Sequence, residues 1–150
     1  GEYDAGWDTH ADNYRQNNHY ELLFSALCDT IASLDGKTSP TSGAPLADEL
    51  TIVVASEMGR SPAENDSAGK DHWTFTSLLL IGAGVQGGQV IGSSDKDGVM
   101  PEDRPVKPHD VHATVLHALG IDGRKEVMTP LERPMRLIRK GGSPVRELFG

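Results

Sequence analysis

Apolar residues in this chain occur either as short unbroken runs or at helical spacing. Leu23, Leu27, Ile31 and Leu34 recur at intervals of four, four and three, which is one face of an α-helix. Asn17 or Asn18 can cap its start and Gly36 can end it. Thr51-Ile52-Val53-Val54-Ala55 is rich in β-branched residues and has no alternation, as in a strand buried on both faces. Ser77-Leu78-Leu79-Leu80-Ile81 predicts a second buried strand, closed by Gly82-Ala83-Gly84. Val90-Ile91, set between glycines, predicts a short edge strand or hairpin arm at best. Helical spacing returns at Asp110, a suitable N-cap: Val111, Val115 and Ala118 or Leu119 share a face, and Gly120 is the stop. Met135 to Ile138 predicts a further short strand, and Pro144 to Phe149 a final turn.

The polar stretches divide these elements. GEYDAGWDTHADNY is too polar for a strand and too rich in turn formers for a helix. TSPTSGAP has linker composition, which predicts a mobile insert near residues 36–46. A long loop with two glycines, Gly59 and Gly69, separates the two aliphatic runs, and SSDKDGVMPEDRP reads as surface loop. Strand, helix and strand in alternation predict an α/β fold, a mainly parallel sheet flanked by helices. The strands are too few for a complete large sheet. The chain also begins with Gly1, so it is expected to be the C-terminal part of a longer protein whose N-terminal half is missing here.

Composition narrows the function. The length, 150 residues, suits one domain with a real core. The net charge is −8, which argues against nucleic acid as the main partner, because no basic run neutralises phosphates. The one basic cluster, Arg133 to Lys140, is broken by Pro134 and by apolar residues, as in a solvated surface strand. No apolar run is long enough to span a bilayer. Cys28 is the only cysteine, so no intrachain disulfide forms.

Candidate chemistry clusters in two loops. Asp8-Thr9-His10 places a carboxylate and an imidazole two residues apart, within reach of one cation if the loop is extended. Mixed oxygen and nitrogen donors suit Zn or Mn better than Mg or Ca. The alternative is a polar loop whose Asp caps local N–H groups. Asp71-His72-Trp73 repeats the pairing after the glycine-bearing loop; His72 is a candidate ligand or donor to an anion, or a hydrogen-bonded surface histidine. Trp73 reads as core. Directly after the first strand, Glu57 is a candidate ligand or general base and Arg60 an anion clamp, unless the two merely pair with each other. His109, His112 and His117 do not share a face well and read as structural or exposed. No nucleophile elbow, P-loop or dinucleotide fingerprint is present.

GWDTH, TIVVASEMGRSP, AGKDHW, SLLLIGAGVQGGQVIGSSDKDG, PVKPHDVHATVLHALGID and SPVRELF follow in order along almost the whole chain. The ordered set resembles the C-terminal part of the bacterial family catalogued as domain of unknown function fifteen-oh-one, placed in the alkaline phosphatase and sulfatase superfamily. The resemblance implies that residues 1–150 are the C-terminal part of one alkaline-phosphatase-like domain. It implies a metal-dependent hydrolase of small phosphate or sulfate esters, with Asp8, His10, Glu57, Asp71 and His72 toward a divalent metal and Arg60 toward the anion. Where sulfatases carry Ser-Asp-His-Gly, this chain reads Ser56-Glu57-Met58-Gly59, and Met58 is a poor ligand for a hard metal. Asp8 and His10 resemble the superfamily's preceding Asp/His pair at a shorter spacing, and His72 resembles its last metal-binding or substrate-contacting histidine. Asp110 to Thr114 resembles a structural Asp-x-x-x-Thr helix start. The superfamily's nucleophile lies in its N-terminal half, so these residues alone are not expected to turn over substrate. Family members commonly carry a twin-arginine-type export signal, which implies a periplasmic or extracellular protein. The competing expectation, motivated by Met58, is a non-catalytic exported binding or scaffold protein with a degraded metal site.

Overall fold

The computed structural model describes residues 7–150. The helical stripe forms α1, Gln16–Leu34, entered through a 3-10 turn at Asn13–Arg15. Asn17 and Asn18 therefore lie inside the first turn and do not cap it. Gly36, at φ 67°, supplies the left-handed residue just beyond the end, as the sequence predicts. No residue of α1 is buried. Leu23, Leu27 and Leu34 are half-buried on one face, whereas Ile31 of the same stripe is exposed. Residues 36–46 fold into a loop closed by its own bonds. Thr38 bridges Pro45, the Ser39 N–H donates to the Ala44 carbonyl, and Ser42 donates to the Glu49 carboxylate.

The aliphatic runs form β1, Thr51–Val54, and β4, Leu79–Gly82, paired antiparallel with Ile52 opposite Ile81 and Val53 opposite Leu80. Between them lie β2, Gly59–Arg60, and β3, His72–Trp73, also antiparallel. Two hairpins follow: β5, Ser93–Ser94, with β6, Pro101–Asp103, and β7, Glu126–Met128, with β8, Pro134–Arg136. The expectation of an alkaline-phosphatase-like, mainly parallel sheet is thereby overturned, because among the described residues all four sheets are two-stranded and antiparallel. The chain returns from β1 to β4 through a loop, with no helix to carry a parallel crossover. Val90-Ile91 is not a strand; the pairing falls at Ser93–Ser94 instead, and β8 begins one residue before the expected run.

The second helix, α2, runs Pro108–Ala118. Lys107 is its N-cap residue and Pro108 its first helical residue, a position where the fixed proline φ fits and the missing N–H costs nothing. Asp110 is therefore not the N-cap. It sits in the first turn and reaches back, accepting the Lys107 N–H at 3.2 Å. Its other oxygen accepts the Ser143 N–H at 3.0 Å. One turn on, the Thr114 hydroxyl donates to the Asp110 carbonyl at 2.7 Å and accepts the Val145 N–H at 2.9 Å. This stitch holds the tail on the helix. Among the described residues it is also where the core lies: Ala113 and Val145 are the buried hydrophobics, with Thr114 beside them.

Elsewhere the apolar surface is open. Val53, Leu78 and Leu79 of the β1–β4 ribbon and Leu22 and Phe24 of α1 are exposed. The chain exposes 11073 Å², against roughly 7,400 Å² for a compact monomer of its mass. Among the described residues no helix is long and apolar enough to cross a membrane.

Candidate functional site

Two loops, residues 8–13 and 65–71, are zipped together by backbone bonds. Lys70 N–H donates to the Thr9 carbonyl at 2.8 Å, Asp12 N–H to Ser67 at 3.1 Å and Asn13 N–H to Ala68 at 2.8 Å. Asn65 ties the junction: its amide donates to the His10 carbonyl and to the Asp71 carboxylate, both at 3.0 Å, and its oxygen accepts the Ser67 and Gly69 N–H groups. Thr9 is buried at the centre, accepting the Gln16 amide at 3.1 Å. Gly69 is required for close approach: a Cβ there would stand 2.1 Å from the His10 carbonyl oxygen. Gly59 likewise faces the Phe75 carbonyl, with a Cβ placed at 1.6 Å. Neither glycine needs a left-handed φ, so both are needed because two backbones nearly touch rather than for a sharp turn.

The zip delivers Asp8 and His10 to β2, across from Arg60. The Arg60 guanidinium donates to the Asp8 carboxylate at 3.1 Å and to the Lys70 carbonyl at 3.0 Å. His10 Nδ1 lies against the same Asp8 oxygen in a short hydrogen bond and 3.1 Å from an Arg60 nitrogen. Arginine is a donor only, so Nδ1 cannot serve both partners; the closer carboxylate assigns the proton to Nδ1 and leaves Nε2 as the other ring nitrogen of a half-exposed side chain. The hydrogen bond from His10 is the main reason the Asp8 carboxyl lies below its ordinary value of 3.8. Desolvation opposes that shift, while the His10 backbone N–H, the His10 charge and Arg60 assist it. The His72 ring, across from Arg60 in the β2–β3 pair, lies 4.6 Å from that of His10.

These groups open onto a cleft of about 600 Å³ lined by Trp7, Asp8, His10, Glu57, Arg60 and His72, with Lys70 and Met58 also in its wall. Its electrostatic character is mixed: the cations Arg60 and Lys70 stand with two carboxylates, Asp8, which is paired with Arg60, and Glu57, which is not. A second cavity, about 360 Å³, lies among β4, α2 and the tail; Leu80, Val85, Ile91, Val111 and Leu148 line it, and none of the candidate site residues does. Asp103 and Arg104 also line it, but no histidine does.

Of the sequence candidates, Asp8, His10, Arg60 and His72 come together. Glu57 lines the cleft, but among the described residues it is approached only by the Ser56 hydroxyl at 3.5 Å, and it does not pair with Arg60. Asp71 turns to Asn65 and does not line the cleft. The expected five-residue ligand set is thus not assembled: among the described residues no three His, Cys, Asp or Glu side chains are grouped to hold a metal ion. Asp8, the best oxygen donor, already serves His10 and Arg60. The donor set as it stands among the described residues does not fit a metal centre. Trp73 is anchored by its indole N–H on the Val99 carbonyl at 2.7 Å, in keeping with a structural role. His109, His112 and His117 lie on α2, away from the cleft. Asn65, Thr9 and Gln16 were invisible as site builders in the sequence, since their partners lie on another loop or on the helix.

No curated protein and no solved structure matches the chain. A family described as protein of unknown function (DUF1501) matches residues 3–149, the family that the ordered motifs resemble, and the chain belongs to it.

Proposed function

We propose that the cleft binds the oxyanion of a small phosphate or sulfate ester and belongs to a hydrolase of such esters. The observation that carries this reading is Arg60, a guanidinium held by Asp8 and the Lys70 carbonyl at the edge of an open cleft. Of its five N–H groups, these two bonds use two. The remainder, with the Lys70 ammonium, suit the non-bridging oxygens of an ester. Charge developing there in the transition state is what fixed cations stabilise best. His10, with Nδ1 held by Asp8, presents Nε2 for proton transfer to or from the ester or water. The test is turnover of a phosphate and sulfate ester panel by the intact protein. We expect His10→Ala to lower kcat about 100-fold and Arg60→Ala to raise KM as well. Unchanged turnover in both variants would contradict the reading.

Met58 in the cleft wall and the unassembled ligand set favour a second reading, a binding protein that holds such anions without hydrolysing them. Saturable, Arg60-dependent binding with no turnover of any ester would select it.

A further inference from the structure

We propose that the cleft selects esters whose non-anionic part is a neutral aromatic ring, with Trp7 and Tyr20 as the wall that receives it. This rests on the anion-ester reading above. The cleft has two chemically different parts. Arg60 and Lys70 supply its cations, while Trp7 and Tyr20 line it with aromatic rings. Both rings are well exposed, Trp7 at 40% and Tyr20 at 45%. A large aromatic that served only to pin the loop to α1 would turn its faces inward. Trp7 instead stays open to the cleft while its position is fixed. Its ring lies 5.2 Å from Tyr20, edge-on at 82°, and 5.2 Å from His19. Tyr20 in turn stacks on Phe24, one helical turn along α1. A ring held this way meets a planar guest with little loss of side-chain freedom.

Position completes the argument. Trp7 immediately precedes Asp8, whose carboxylate holds Arg60, so the aromatic wall and the anion clamp are joined through one residue. Glu57, also in the wall, repels a further anionic group on the guest beyond the ester's own oxyanion. The guest that fits is an aryl monoester rather than a nucleotide or another polyanion.

The experiment uses non-hydrolysable probe pairs on the intact protein: methylphosphonate against phenylphosphonate, and methanesulfonate against benzenesulfonate. Within the pair that binds, we expect the phenyl probe to bind about fivefold more tightly. Trp7→Ala should bring that ratio to about one while the methyl probe's affinity stays within about twofold. Trp7→Phe should keep most of the preference, and Arg60→Ala should weaken both probes alike and leave the ratio unchanged. If Trp7→Ala does not fold, Tyr20→Leu carries the same test. Equal affinity for the two probes in the wild type, or equal weakening of both by Trp7→Ala, overturns the aromatic wall but leaves the anion clamp standing. Failure of every probe to bind overturns both.

Discussion

Asp8 and Asp110 invite comparison, because each is a carboxylate within a short motif with a second polar residue and each has a carboxyl below its ordinary value. The partners differ. Asp110 spends both oxygens on backbone N–H groups, of Ser143 and Lys107, next to buried Ala113, Thr114 and Val145. Burial alone would push its carboxyl up, and those N–H groups, with the His109 and Lys107 charges, outweigh burial. Asp8 is held by ionisable side chains, His10 and Arg60, beside an open cleft. A network closed on backbone has no group left for a ligand and is scaffold. One closed on a titratable ring and a guanidinium, open to solvent, has donors to offer. Burial and partner type separate the two roles, where the motifs alone read alike.

The comparison can be broken at four points. The largest effect is expected from Gly69→Ala, whose Cβ would collide with the His10 backbone. We expect about 3 kcal/mol of lost stability by urea denaturation, together with loss of anion binding as the two loops separate. A neutral Gly69→Ala would mean that the zip does not position the site. Thr114→Val removes the acceptor for the buried Val145 N–H and should cost about 2 kcal/mol. Anion affinity should stay the same, and a change would join the two networks that we treat as separate. Arg60→Ala should show the reverse. Anion affinity, read by calorimetric titration, should fall about tenfold or more, with only a small change in stability because the Asp8 carboxylate that Arg60 pairs with is half-exposed.

The smallest effect is that of pH. Both carboxyls are lower in the folded than in the unfolded chain, so each stabilises the fold above the ordinary carboxylate value of 3.8. That contribution is complete at neutral pH and is lost as pH falls through the depressed folded values. Denaturation measured across the acid range should therefore steepen only below about pH 4. Asp8→Asn and Asp110→Asn should each remove part of that slope, and a slope untouched by either would place the acid sensitivity elsewhere.

Local patterns are legible in this sequence, and long-range pairings are not. The α1 stripe, the aliphatic runs of β1 and β4, and the stops at Gly36 and Gly120 follow from spacing and backbone chemistry that act within a few residues. Strand direction does not. An unbroken aliphatic run fits a parallel or an antiparallel neighbour equally, and Ile52 meets Ile81 only through a long loop. Strands as short as β2 and β3 carry no periodicity to detect. At the site, Asp8, His10, Arg60 and His72 were legible as chemical types and through the family resemblance. The hydrogen bond from Arg60 to Asp8 spans 52 residues and was not legible. For the same reason Glu57 and Asp71 looked like ligands in the sequence, yet they do not join the others in one donor group.

The central claim is that the Asp8–His10–Arg60 cleft receives an oxyanion, and the His10 ring reports on it most directly. Titrating the intact protein with phosphate and with sulfate while following the histidine ring resonances by NMR should move His10 and His72 together, to saturation. His109 and His112, on α2, should hold still, and Arg60→Ala should abolish the movement. Static His10 and His72 signals under both anions, or equal drift of all the histidines, would contradict the account.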